Sequence, residues 1–429
     1  MSDGTAGVTT GVTGRPWRGT VTPWGDVEPW DAAQPAVRWY IAADDRWHRP
    51  AVETAVRQVR IDGTPVTETR VRVPDGDAVQ RVWSVADDGG ATVIEFENDS
   101  SRPIAIALTG DALLTERPVT DTPVQGIELD APAIVLPVGH RATTRVAIQH
   151  APRSGRVALP ASTSSVEAVV SGWLTVCERA SRLGLPDQQL VDAVVSARCD
   201  LLLEGPGDPD DGDGLGFLAD VSQLVRLGED GEAWLPEVIG PLERIARRPG
   251  RLVDEALRNV ERVAVRARDD RATGDVASLI ARRRADGLAA TAAVVPLAER
   301  LATAAATEPV ARGLFIDAVE RTFASDGDVL AGGLPSAWLG ANFEVHGLPT
   351  GAGSTLSYAV RWHGERPALL WEQSGPPVEL TASAIDPTWS SREPAGETLL
   401  AAPRALRRPL APDVPDGGAA DPGDSISFG

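Results

Sequence analysis

The sequence is short of several residue types that usually point to a function. It contains no lysine, so all 41 basic residues are arginine, and 61 aspartates and glutamates give a formal net charge of −20. Nucleic-acid phosphates are bound through a basic surface, so this charge argues against a nucleic-acid partner. Methionine occurs once and histidine five times. The heavy use of arginine, alanine, valine and glycine is typical of a GC-rich bacterial genome and says nothing about function.

Long apolar runs and targeting signals are also missing. No apolar run reaches the ~18 residues that cross a bilayer, and residues 1–17 lack the basic and apolar regions of a secretion signal. We therefore expect a cytoplasmic protein with no membrane partner. The two cysteines, Cys177 and Cys199, follow neither a C-x-x-C nor a zinc spacing. Buried thiols in a reducing compartment are expected, with a disulfide between neighbouring helices as the alternative.

The period of the apolar pattern changes twice along the chain. Strands with turn clusters between them occupy 37–149, helices 165–324, and strands again 338–385. The sequence therefore predicts a multidomain β + α chain. Its parts are a disordered segment (1–14), an N-terminal antiparallel β-sandwich (15–160), a central array of about eight antiparallel helices (161–328), a small C-terminal antiparallel β unit (329–405) and a disordered acidic tail (406–429).

The helical region shows clear start and stop signals. The first helix is expected from Ser164, in a capping-box pattern, to Leu183, with Gly184 as its stop. Further helices are expected at 186–204, 217–227, 235–248, 252–269, 275–284, 286–307 and 309–324. One connection, from Asp208 to Asp213, carries four aspartates in six positions. It does not follow EF-hand spacing, so we expect a solvated acidic loop, with a cation site as the alternative.

The most site-like feature is the hairpin from Leu356 to Gln373. With its tip at Gly364 and Glu365, the period of two places Tyr358 opposite Trp371 on an apolar face. The segment Trp338–His346 alternates in the same way. The other face of these two segments collects polar side chains: Asn342, Glu344, His346, Arg361, His363 and Glu372.

These side chains suggest a sugar site. A glycosidase needs two carboxylates ~5–10 Å apart, so Glu344 and Glu372 are the candidate catalytic pair. Sugar rings stack on indoles while polar groups take their hydroxyls. The candidate substrate-binding residues are accordingly Trp338, Asn342, His346, Arg361 and His363, with Trp24 and Trp30 from a tryptophan-rich passage at 17–47.

Other interpretations of the same residues remain open. The tryptophans of the 17–47 passage also suit the edge of a sandwich. Arg361 is also placed to form a salt-bridged seam with Glu344 or Glu372. Glu344, His346 and His363 form a set of two imidazoles and a carboxylate that suits a metal, although no metal and no cofactor are expected. P-loop, dinucleotide-binding, G-x-S-x-G and H-E-x-x-H motifs do not occur.

The strands of Ala78–Leu108, a closing strand at Leu136–Gln149 and the helices from Ser165 onward resemble the bacterial six-hairpin (α/α) glycosidases of the glucoamylase-like group. The resemblance covers most of the chain and is architectural. A complete barrel of that group has twelve helices, and no catalytic residue can be carried over. It implies a carbohydrate-active or carbohydrate-binding protein, hydrolytic or not, with a carbohydrate ligand. The alternative is a structural or protein-interaction module without catalysis; the oligomeric state stays open.

Overall fold

The computed structural model describes residues 7–110, 113–116, 119, 124–129, 133–151, 158–212, 214–247, 252–286, 311–351 and 353–403. These ranges contain seven α-helices and five β-sheets. The prediction of about eight helices beside one sandwich and one small β unit is therefore wrong. The helix expected at 286–307 lies almost entirely outside the described residues, and so does the tail 406–429. Within the described ranges, no helix is both long and apolar enough to cross a membrane.

Three sheets form the N-terminal half. The first has the order β1 (Val8–Gly11), β2 (Arg18–Val21), β3 (Val27–Pro29), so a strand lies within the segment expected to be disordered. The second has the order β12 (Ala133–Val138), β10 (Ile104–Thr109), β4 (Arg38–Ala42), β5 (Trp47–His48). The third has the order β11 (Leu114–Thr115), β13 (Thr143–Gln149), β9 (Ala91–Asp99), β8 (Gly76–Val85), β7 (Thr67–Val73), β6 (Val56–Arg60).

The second and third sheets face each other across one core. Their inward side chains alternate along each strand and meet around Trp39 and Phe96, whose ring centroids are 5.4 Å apart. Large apolar side chains on two opposed sheets are the arrangement that holds a sandwich together. Trp17 and Val27 extend the same core toward the first sheet.

Seven helices lie in the described part of the helical region. They are α1 (Val166–Cys177), α2 (Gln188–Glu204), α3 (Leu215–Leu227), α4 (Gly231–Ala246), α5 (Leu252–Arg266), α6 (Asp270–Ala285) and α7 (Arg312–Phe323). The first helix is shorter than expected: it ends at Cys177, where Arg198 of α2 binds the chain. The Nη1 atom of Arg198 donates to the carbonyl oxygens of Cys177 (3.2 Å) and Ser181 (2.8 Å). The chain then runs extended as β14 (Arg182–Gly184).

Two sheets form the C-terminal unit. One has the order β14, β17 (Phe343–Gly351), β18 (Ser354–His363), β19 (Arg366–Ser374), β22 (Ala395–Leu399). The other has the order β15 (Ala324–Ser325), β16 (Asp328–Val329), β20 (Leu380–Ala382), β21 (Asp386–Ser391).

The C-terminal unit is neither purely antiparallel nor separate from the helices. Strands β16 and β20 pair in parallel, contrary to the prediction. Strand β14, which comes from the helical region, forms one edge of the five-stranded sheet. The inner faces of both sheets share a core with α2 and α7, in which Leu190, Phe323 and Val345 are almost fully buried. This packing holds the helical array against the C-terminal sheets, and a cleft lies along their junction.

Candidate functional site

The predicted hairpin forms β18 and β19, and its register is confirmed. Tyr358 lies opposite Trp371, and both side chains are buried in the C-terminal core. The opposite surface of this sheet we call the polar sheet face; it carries Arg182, Glu344, His346, Arg361 and Glu372. The period of two therefore predicted correctly which side chains face away from the core.

Glu344 is the centre of a cluster on the polar sheet face. Its carboxylate lies 3.0 Å from Arg182, 3.1 Å from Arg361 and 3.3 Å from His346. Hydrogen bonding to His346 and to Arg361 lowers the pKa of Glu344. A general acid in glycoside hydrolysis needs a raised pKa. Glu344 therefore stays ionised and forms the salt-bridged seam that the sequence left open as an alternative.

Arg182 was missed by the sequence analysis because its segment was interpreted as the end of a helix. In the structure, β14 places Arg182 directly opposite His346. The Nη2 atom of Arg182 lies 2.7 Å from Nε2 of His346. An arginine in a three-residue segment that ends at Gly184 gave no signal strong enough to distinguish a strand from a frayed helix end.

Glu372 shares the polar sheet face with Glu344 but not its cluster. Glu344 pairs with Ala359 and Ala359 with Leu370, so β18 lies between the two glutamates and Glu372 is displaced by two further residues. Strand spacing and rise place their Cα atoms about 12 Å apart. The two carboxylates flank no enclosed space, since the face is open to solvent.

Two other residues predicted for this site, Trp338 and Asn342, have structural contacts. Trp338 is 3% exposed and packs between Phe323 and Phe343, so its ring fills the core and cannot serve as a sugar platform. The side-chain oxygen of Asn342 accepts a hydrogen bond from the backbone of Trp362. His363 is exposed beside the hairpin tip.

Trp24 and Trp30 belong to the N-terminal half. The indole of Trp24 donates to Asp26 (2.8 Å) and that of Trp30 to Thr20 (3.0 Å). Trp30 is 53% exposed. Across the described ranges, no hydrogen bond or ring contact joins either indole to the polar sheet face. The structure thus does not bring the N-terminal tryptophans and the C-terminal carboxylates into one site.

A larger concave site lies at the junction of α5, α6 and α7 with the C-terminal sheets. Its volume is about 610 Å³. We call it the arginine-lined cleft, because Arg258, Arg262, Arg284 and Arg321 form its wall. A second cavity of about 250 Å³ shares three of these arginines, Arg258, Arg262 and Arg321. The sequence analysis did not identify this cleft.

Helix geometry explains how these arginines converge. Arg258 and Arg262 are one turn apart on α5, and side chains at i and i+4 lie on the same face. The opposite face of α5 buries Ala256, Val260 and Val263 against neighbouring helices. The other two arginines come from the end of α6 and from α7.

Carboxylates alternate with the arginines along this wall. Arg258 lies 2.8 Å from Asp326, which Arg284 also approaches at 3.8 Å. Arg262 lies 2.9 Å from Asp317, while the Nη1 atom of Arg321 pairs with Glu255 at 3.0 Å. Each guanidinium is thereby held in place by a carboxylate.

The charges in the cleft affect one another. Burial lowers the pKa of Arg258; Asp326 opposes this shift, while Arg321, Arg262 and Arg284 add to it. The acidic group most enclosed is Glu261, which is 8% exposed and whose pKa is raised by burial. The cleft therefore combines hydrogen-bond donors that repel one another with acceptors that are partly desolvated.

The set of Glu344, His346 and His363 does not form a metal site among the described residues. No group of three or more His, Cys, Asp or Glu able to hold a metal ion occurs in the ranges that the structure covers. In the acidic loop, Asp210 pairs with Arg244 at 3.2 Å, and Asp213 lies outside the described residues.

No protein-family model matches the chain, and no curated protein is significantly similar to it.

Proposed function

We propose that this protein binds a small polyhydroxylated ligand, a mono- or oligosaccharide, in the arginine-lined cleft. One observation carries the proposal: arginine donors stand beside carboxylate acceptors around a space of about 610 Å³. This volume is in the range of pockets that enclose small molecules. Each sugar hydroxyl both donates and accepts a hydrogen bond, so neighbouring donors and acceptors match neighbouring hydroxyls.

The remaining wall also suits a sugar. Ser325 and Thr350 add hydroxyl groups, and Ile280, Pro349 and Val378 add apolar patches for the C–H faces of a ring. Hydrolysis is not part of the proposal, because Glu344 and Glu372 lie on the polar sheet face and Glu344 is held by two arginines.

A thermal-shift screen against mono- and oligosaccharides tests the proposal. A ligand at 100 times its dissociation constant adds roughly 2.7 kcal/mol to the free energy of unfolding, which raises the melting temperature. Asp326→Asn is the informative variant, because it removes the carboxylate that Arg258 and Arg284 share. Asp326 has a φ of 50°, a conformation that asparagine tolerates, so the turn is preserved.

The matched control is Glu344→Gln on the polar sheet face. For a neutral saccharide, which needs Asp326 as a hydrogen-bond acceptor, we expect Asp326→Asn to weaken the induced shift and Glu344→Gln to leave it intact. The reverse pattern would move the site to the polar sheet face. A panel in which no saccharide shifts the wild-type melting temperature would contradict the proposal and favour the protein-interaction module instead.

A further inference from the structure

The arginine-lined cleft concentrates positive charge in a strongly acidic protein. The chain has a net charge of −20, yet four guanidinium groups from three helices line this one cavity. Arg258 is close enough to the other three for each of them to disfavour its charge. Like charges brought together in a partly desolvated site repel one another, and an anion bound among them removes that cost.

The arginines have more N–H donors than the ion pairs described above use, and such an anion can accept from them. A guanidinium has five N–H donors. In the ion pairs described above, Arg258 uses its Nη2 atom and Arg321 its Nη1 atom. Arg284 has the longest of the ion pairs described above, at 3.8 Å from Asp326. Donors in a planar fork match the oxygens of a phosphate or a carboxylate.

The carboxylates that line the cleft do not fully balance the charge of its arginines. Three acidic residues line the cavity, Glu261, Asp326 and Glu379. Asp326 is shared by Arg258 and Arg284. Glu379 lies 3.0 Å from Arg392, an arginine that is not part of the lining. The four lining arginines thus outnumber the three lining carboxylates by one, while Asp317 and Glu255 pair with Arg262 and Arg321 from outside this lining.

We infer that the saccharide bound here carries an anionic group, a phosphate ester or a carboxylate, which contacts Arg258, Arg284 and Arg321. This inference rests on the proposed function, since it names the class of sugar that the same cleft takes. The anionic group lies against the guanidinium wall, and the neutral hydroxyls of the ring meet the hydroxyls of Ser325 and Thr350. The sugar ring fits the shape of the cleft, and the anionic group provides most of the electrostatic attraction.

Isothermal titration calorimetry at low ionic strength tests the inference with four probes: glucose, glucose 6-phosphate, glucuronate and inorganic phosphate. We expect glucose 6-phosphate or glucuronate to bind at least about tenfold more tightly than glucose. A single charge-assisted hydrogen bond increases affinity by about this amount. Comparing glucose 6-phosphate with glucuronate identifies whether a phosphate or a carboxylate is preferred. Raising the salt concentration is expected to weaken binding of the charged sugar, because exposed charges are screened.

Two variants locate the anion. Arg258→Gln is expected to weaken binding of the charged sugar at least about tenfold, and Arg284→Gln, whose ion pair is long and exposed, to weaken it severalfold without loss of folding. Arg46→Gln is the matched control, since Arg46 pairs with Glu53 in the N-terminal half. It is expected to bind like the wild type.

The outcomes separate this inference from the proposed function. Glucose binding as tightly as the charged sugars, with Arg284→Gln unchanged, would overturn the anionic class and leave the saccharide site standing. Inorganic phosphate binding as tightly as glucose 6-phosphate would support the anion and overturn the saccharide. Binding of none of the four probes would overturn the inference together with the site.

Discussion

Arg226 and Glu320 form a two-point ion pair in the interior of the helical array. The Nη1 atom of Arg226 donates to Oε2 of Glu320 at 2.6 Å and its Nη2 atom to Oε1 at 2.8 Å. Arg198 donates to the same carboxylate at 2.9 Å and Ser181 at 2.6 Å. The carboxylate thus joins α2, α3 and α7 to the segment that leads into β14.

Loss of the Glu320 charge is expected to be severely destabilising. Glu320→Gln would leave Arg198 and Arg226 buried without a counter-charge, and breaking a buried pair in this way costs about 3–5 kcal/mol of unfolding free energy. Urea unfolding at pH 7 measures this. Glu344→Gln is the comparison, because its partners are exposed and such pairs contribute less than about 1 kcal/mol. Equal effects of the two substitutions would contradict the importance of burial here.

The lowered pKa of Glu320 predicts how the free energy of unfolding depends on pH. Burial would raise the pKa of Glu320, but the charges and hydrogen bonds of Arg226 and Arg198 outweigh it and lower the pKa to about 2. Its contribution is therefore complete above the ordinary value of 4.5 and is lost as the pH falls toward 2, at up to about 1.4 kcal/mol per pH unit. Urea unfolding between pH 5 and pH 3 measures the slope. Glu320→Gln should flatten it, and an unchanged slope would refute the assignment to Glu320.

Trp371 anchors the C-terminal core. It is 8% exposed, packs edge-on against Trp389 at 5.3 Å and donates its indole hydrogen to the carbonyl of Glu393. Trp371→Ala is expected to cost about 3–5 kcal/mol, as measured for large aromatic truncations in cores. Trp30→Ala, at an exposed indole, is the control and should cost less than about 1 kcal/mol. A loss below about 1 kcal/mol for Trp371→Ala would show that this face is not core.

The hairpin around Trp371 was predictable in detail because alternation and turn chemistry specify the same register. Tyr358 and Trp371 lie opposite each other since the strands alternate strictly and Gly364 with Glu365 closes the turn. The polar sheet face followed from the same period. The pairing of Arg182 with this face could not be predicted, because β14 is three residues long and its position depends on Arg198 of α2.

The arginine-lined cleft was not predictable from the sequence. Arg258 and Arg262 sit on the polar face of an amphipathic helix, where charged residues are expected to be solvated. Arg284 and Arg321 are distant in sequence, and nothing in their neighbourhood distinguishes them from surface arginines. Only the packing of α5, α6 and α7 against the C-terminal sheets brings the four together.

The two cysteines give a test of the α1–α2 contact. Cys177 and Cys199 are both free, 1% and 0% exposed, with their sulfur atoms 3.5 Å apart. We expect a thiol reagent to label neither cysteine in the folded protein and both in urea, because reactivity needs an accessible thiolate. Rapid labelling of the native protein would mean that α1 does not pack on α2 as described.

The most direct test of the account is hydrogen–deuterium exchange with and without a saturating anionic saccharide such as glucose 6-phosphate. A bound ligand suppresses the local openings that allow amides to exchange. We predict added protection in peptides that cover α5, the Ala324–Asp326 turn and the Pro349–Gly351 end of β17, which line the arginine-lined cleft. Protection confined instead to the hairpin Ser354–Ser374, or to peptides that contain Trp24 and Trp30, would contradict binding in the arginine-lined cleft.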